Sequence, residues 1–204
     1  MAVGGMLSGR AASAPVLHTE RLLLRPPRLG DHPAWSAVRR ASAEFLQPWE
    51  PAWGPQHLSL AAFKARVRWA RQEIDGGRAI PWLIFLRDDH PSTPGALLGG
   101  ATLEHIRRGA AMSASIGYWL GGGHTGKGYM TEALEAVVPF VFDDLDLSRL
   151  EAACLPENGP SRRLLARLGF QEGRLAKAML QINGTWRDHL IYERFRSDRI
   201  PGGA

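Results

Sequence analysis

Residues 121–128 read Gly-Gly-Gly-His-Thr-Gly-Lys-Gly. They lie between a run that patterns as a strand, Ser113–Leu120, and one that patterns as a helix, with Met130, Leu134, Val137, Val138 and Val141 on one face. A chain passing from strand to helix through such a turn brings bare backbone N–H groups to the helix start. Those groups have no partner within the helix, and the aligned peptide dipoles add positive potential, so the place attracts anions. Glycines let the backbone approach a phosphate with no Cβ in the way. A helix-opening turn without a ligand is the plain alternative. Pro139, inside the helical pattern, should kink the helix or end it early.

The rest of the chain supplies the frame. Arg21–Arg25 is a short apolar run closed by Pro26-Pro27 and reads as a strand. Gly30-Asp31 opens a helix, with Asp31 as N-cap ahead of Pro33. Residues Phe45–Pro51 are aromatic and proline-broken, which reads as an ordered loop. From Ser59, the positions Leu60, Phe63, Val67, Ala70 and Ile74 keep helical spacing until Gly76-Gly77. Strands at Pro81–Arg87 and Ala96–Glu104 join Ser113–Leu120 in an antiparallel meander, through turns at 88–95 and 107–110. Leu150–Leu155 is a further strand and Ser161–Leu168 a helix ended by Gly169. Asn183-Gly184 is the hairpin turn between two last strands. The order βαα–βββ–α–β–α–ββ predicts an α/β (α+β) fold: a single mixed, largely antiparallel sheet flanked by helices on both faces. Residues 1–14 are expected to form a disordered tail and residues 15–204 one domain, since no repeat or linker divides them.

Composition excludes several function classes. The lone Cys154 permits no internal disulfide and no cysteine cluster for zinc, so no metal is expected and a cytoplasmic location is. No run reaches the ~18 apolar residues of a membrane-spanning helix. The formal charge of +5 suits either a solvated basic surface or a polyanionic ligand or acidic partner. The glycine turn nearly matches a Walker A loop from Gly121 to Lys127. Gly128, however, stands where a magnesium-binding hydroxyl is required. The Val137–Phe142 run before Asp143-Asp144 follows too closely to be a Walker B strand, which leaves a nucleotide hydrolase disfavoured.

A second segment narrows the choice. Pro156-Glu157-Asn158-Gly159-Pro160-Ser161 leads into a helix closed by Leu168-Gly169-Phe170, some thirty residues beyond the turn. Asn and Ser three apart form an ordinary N-cap arrangement, and capping can coexist with ligand contact. With Thr125–Met130 after Ile116–Leu120, the two segments together resemble the pyrophosphate loop and the N-x-x-S…LGF segment of the GNAT acetyltransferases. Thr125 stands where that family usually has Gln or Arg, and Met130 where it has Gly or Ala. His18–Arg25, Phe45–Pro51 and Ile182–His189 resemble the RimJ/RimL branch, the ribosomal-protein N-acetyltransferases, with the RimJ type nearer and Met130 matching it. The likeness runs from about residue 16 to residue 194.

The resemblance implies acetyl-CoA as co-substrate and an amine acceptor. The acceptor it implies is the N-terminal α-amine of a protein such as a ribosomal protein; a small amine (antibiotic, polyamine or amino acid) is the alternative, and a non-catalytic acyl-CoA-binding module the second. It places the cofactor on Tyr118, Trp119, Leu120, Thr125, Gly126, Lys127, Gly128, Tyr129, Met130, Asn158 and Ser161. Ser161 is the candidate acid for the departing thiolate, with Glu104 and Glu50 as candidate bases, each also readable as structural or solvated. Trp49 and Trp53 are candidates to line the acceptor groove, and Arg162, Arg163 or Arg167 to meet the adenosine 3′-phosphate. No membrane or nucleic-acid partner is required, and a monomer or homodimer is expected.

Overall fold

The computed structural model describes residues 15–87 and 95–197. The expectation for residues 1–14, and most of the one for the 88–95 turn, lies outside them. Eight strands form a sheet in the order β1-β2-β3-β4-β5-β6-β8-β7. They are β1 (Leu17–His18), β2 (Leu22–Arg25), β3 (Ile80–Leu86), β4 (Leu97–Arg107), β5 (Ser113–Leu120), β6 (Arg149–Cys154), β7 (Gln171–Ile182) and β8 (Thr185–Phe195). Every neighbouring pair is antiparallel except β5 with β6. The helices are α1 (His32–Ala41), α2 (Ala43–Leu46), α3 (Leu60–Asp75), α4 (Tyr129–Pro139) and α5 (Gly159–Arg167).

The helices cover both faces because each buries one apolar stripe. Leu134 and Val137 of α4 and Leu165 of α5 pack with Leu98, Leu103 and Leu150 on one side. Trp35 of α1 and Phe63 and Val67 of α3 pack with Leu83, Phe85 and Leu97 on the other. The mixed sheet with helices on both faces is thus as the sequence pattern predicts.

Three local expectations change. The stretch from Phe45 is not a plain loop: α2 runs to Leu46 and a 3-10 turn covers Gln47–Trp49, since Pro48 suits the start of a short helical turn. Asp31 precedes α1 but does not cap it with its side chain. Its carboxylate instead takes both arms of the buried Arg25 guanidinium, at 2.8 and 2.6 Å, and the Arg28 N–H at 2.7 Å. At Pro139 the α-helix ends, and the chain continues as a wider π-helical turn over Phe140–Asp144. Proline supplies no N–H and crowds the preceding turn, so the ladder reforms at longer spacing beyond it.

Strands β4 and β5 approach closely at Gly99. A Cβ there would lie 2.2 Å from the Trp119 carbonyl oxygen and 2.9 Å from the Leu120 Cα. Gly99→Ala is therefore expected to part the two strands and to cost about 1–3 kcal/mol by overpacking. The check is the urea midpoint; a midpoint equal to that of the parent would mean the strands have slack the packing does not show.

Candidate active site

Strands β5 and β6 pair only where Ser113–Ser115 meets Arg149–Glu151. Beyond those rungs β5 continues against β4 as far as Leu120, and β6 against β8 as far as Cys154, so the sheet opens between them. The Gly121 N–H donates to the Leu98 carbonyl at 2.9 Å, on the β4 side. Successive N–H groups along a strand alternate in direction, which turns those of Tyr118 and Leu120 into the opening. The Tyr118 side chain packs toward α4 and α5, and that of Trp119 toward α1 and α3.

The glycine turn sits at the end of this gap. It makes a 3-10 turn over Gly122–His124 and then enters α4 through Gly126 and Gly128, both left-handed, with φ of 74° and 80°. Only residues without a Cβ adopt that conformation readily, which is what the turn requires here. Side chains fix its shape: Ser42 Oγ accepts the Gly122 N–H, Thr125 Oγ1 donates to the Gly122 carbonyl, and Lys127 Nζ donates to the Gly123 carbonyl. Among the described residues no side chain caps α4, which leaves its first-turn N–H groups for a ligand. Space is open beside Gly123 and Gly126. This shape fits the diphosphate of a CoA. Met130 can contribute only backbone, since its side chain is in the core.

The opening of α5 faces the same gap. Asn158 Oδ1 accepts the Ser161 N–H at 3.1 Å, so Asn158 does act as N-cap. Ser161 Oγ and the Tyr118 hydroxyl are hydrogen-bonded at 2.7 Å. Burial pushes the Tyr118 phenol far above the ordinary tyrosine range, the bond to Ser161 acting the other way. Burial also raises the Cys154 thiol, against opposing effects of Ser161 and Arg162. Arg162 is tied to Tyr192, Glu172 and the Pro156 carbonyl, leaving Arg163 and Arg167 as the exposed arginines of α5.

Glu50 is far from a free base. Arg39 grips both carboxylate oxygens, at 2.8 and 2.5 Å, and Trp53 Nε1 donates to one of them at 2.9 Å. The Arg39 guanidinium lies between the Trp53 and Trp119 rings, 4.3 and 4.7 Å from their centroids. The Glu50 carbonyl accepts the Asn183 N–H at the tip of the β7–β8 hairpin. One buried arginine thus ties the 47–53 segment to β5, while Glu50 ties it to the hairpin. Glu104 stands opposite Ser115, on the sheet face that carries Gly117 and Trp119, four residue pairs along from the latter. Asp188 holds the hairpin's irregular stretch through the Ala178 N–H and Lys177.

Sequence reasoning missed Arg39, whose role depends on partners brought together only by the fold. It also missed Thr19, Arg21 and Glu132. Glu132, in the first turn of α4, accepts from Thr19 Oγ1 at 2.5 Å and from the Arg21 N–H and Nε at 2.8 and 2.6 Å. Trp186 is 63% exposed on β8.

Residues 21–171 match the family model described as the acetyltransferase (GNAT) domain. The chain belongs to the GNAT acetyltransferases. It is 32% identical over 188 residues to the [ribosomal protein uS5]-alanine N-acetyltransferase of Escherichia coli K12, covering 91% of this chain and 93% of that protein. Among solved structures it superposes on Mycobacterium smegmatis RimJ in complex with CoA-disulfide with a TM-score of 0.80. That pair is 36% identical and covers 88% of this chain and 84% of the other. The ribosomal-protein-S5-alanine acetyltransferase of Vibrio fischeri gives a TM-score of 0.81 at 25% identity, over 92% of this chain and all (100%) of that one. The chain is accordingly an acetyl-CoA-dependent N-acetyltransferase of RimJ/RimL type. Among the described residues no helix is long and apolar enough to cross a membrane, and no group of His, Cys, Asp and Glu is placed to hold a metal ion.

Proposed function

We propose that this acetyltransferase modifies the N-terminal α-amine of a protein, with a ribosomal protein as the leading acceptor class. Likeness to the uS5-alanine enzyme over nine-tenths of both chains is the observation that carries the reading. An α-amine has a pKa of roughly 7.7–8.0, so a useful fraction is neutral near pH 7 without a strong base. That suits a site where one candidate carboxylate, Glu50, is already gripped by Arg39.

Acetyl-CoA supplies the activated acetyl group as a thioester. The Tyr118 and Leu120 N–H groups, unpaired on the open edge of β5, hold the carbonyl and stabilise negative charge on its oxygen. The 125–130 turn and the start of α4 hold the diphosphate, and Asn158 meets the pantetheine arm with the amide nitrogen that its capping role leaves free. Ser161, hydrogen-bonded to a phenol that stays protonated, donates the proton to the departing sulfur. Glu50 orients the incoming amine through the part of its carboxylate left accessible, 21% of the side chain. Glu104, on the same sheet face as Trp119, accepts the amine's proton through water. Holding both reactants in line contributes most of the acceleration.

Melting temperature with and without acetyl-CoA tests cofactor binding, because a ligand that binds only the folded state must raise it. Thiol release is then followed on adding short peptides beginning with Ala or Ser, and separately polyamines, amino acids and aminoglycosides. Release with the peptides alone supports the proposal. Release with a small amine alone would move the acceptor to that class.

A further inference from the structure

We propose that Arg21 is a phosphate-binding residue of the cofactor site, presenting its Nη2 group to the diphosphate of CoA alongside the backbone N–H groups of the turn. The proposal rests on the reading of the 121–130 turn as the phosphate site.

Arg21 precedes β2, more than a hundred positions before the turn in sequence, yet its guanidinium lies across residues 127–129. Nη1 donates to the Lys127 carbonyl at 3.2 Å, and the guanidinium carbon is 4.8 Å from the centre of the Tyr129 ring. Nη2 comes within 3.4 Å of the point where a Cβ on Gly128 would stand. The group is fixed from behind: Nε meets Glu132 at 2.6 Å, and Glu132 is itself anchored by Thr19 and the Arg21 N–H. Among the described residues Nη2 has no hydrogen-bond partner, and the side chain remains 46% exposed. A guanidinium oriented on one edge and open on the other offers a phosphate a charge-assisted bond with little further ordering.

Glu132 gives the arrangement a second purpose. A carboxylate in the first turn of a helix competes with a ligand anion for the same positive end. Burial works against ionising Glu132, but hydrogen bonds from Thr19 and Arg21, with the charge of Arg21, hold it ionised below the usual carboxylate range. Arg21 cancels that negative charge where an incoming diphosphate would meet it, and so makes the helix start usable as an anion site.

The test measures affinity by calorimetry for CoA, for dephospho-CoA (which keeps the diphosphate but lacks the 3′-phosphate) and for pantetheine, which has neither. Arg21→Gln is expected to weaken CoA and dephospho-CoA alike, by about 10-fold or more, the size of one lost charge-assisted bond. Pantetheine affinity should stay within a factor of about two, inside the spread expected when no direct contact is lost. Arg21→Lys, which keeps the charge, should recover part of the loss. Equal weakening of all three ligands would mean Arg21 only supports the fold, and would overturn the proposal. Loss confined to CoA would also overturn it, by moving the contact to the 3′-phosphate. Gly126→Val, which puts a β-branched residue at a positive φ in the turn, separates the two readings. If it weakens CoA selectively while Arg21→Gln does not, the Arg21 proposal fails and the turn stands. If neither variant is selective for the diphosphate, the reading of the turn fails too.

Discussion

Replacing Asp31 with alanine is expected to lower the stability of the fold by about 3–5 kcal/mol, the range for stripping one partner from a buried ion pair. Only 6% of the Arg25 side chain and 9% of the Asp31 side chain reach solvent. Arg25 projects from the end of β2, with its guanidinium 4.3 Å from the centre of the Phe85 ring. Asp31 meets it with both oxygens and also takes the Arg28 N–H. Without the carboxylate, the buried Arg25 cation is stranded and the Arg28 N–H loses its acceptor. The loss should appear as a shift in urea midpoint with an unchanged slope. The double replacement Arg25→Met, Asp31→Leu should regain most of it, because an apolar pair leaves no charge behind. If the double variant were less stable than Asp31→Ala, desolvation would not be the origin of the effect.

Ser161→Ala carries the largest expected effect on rate. On the role proposed for it, kcat should fall about 100-fold, at the lower end for loss of a general acid, while acetyl-CoA affinity changes little. Tyr118→Phe removes the hydroxyl that orients Ser161 and should cost a comparable factor. The double variant should then be little worse than either single one, since both changes interrupt one hydrogen-bonded unit. Burial keeps the Tyr118 phenol protonated, so the deficit should be constant between about pH 6.5 and 9, well below the ordinary tyrosine pKa. A kcat near that of the parent in Ser161→Ala would transfer the proton donation to another group.

The sequence was most informative where physics is local. The meander, the two long helices and the Asn183-Gly184 hairpin follow from periodicity and from residues that tolerate unusual φ, and all are present. The glycine turn and the Asn158 cap were readable for the same reason. What was hidden lies in pairings between distant positions. Nothing near Glu50 announces that Arg39, itself held between two tryptophan rings, grips its carboxylate, and nothing near Glu132 points back to Thr19 and Arg21. β1 has two residues and exists only because β2 pairs with it. Asp31 bore a capping signature, but a buried arginine within reach takes its carboxylate instead. A charge-assisted pair of that kind outweighs one cap bond.

The open seam between β5 and β6 reaches beyond catalysis. Backbone groups that a continuous sheet would satisfy are left along it, and on the function proposed above the donor that fills them comes from the cell's acetyl-CoA pool. If acetyl-CoA binds there as proposed, the protein should be cut faster by a protease in its absence than in its presence. Its lifetime, and not only its turnover rate, would then follow the metabolic state of the cell.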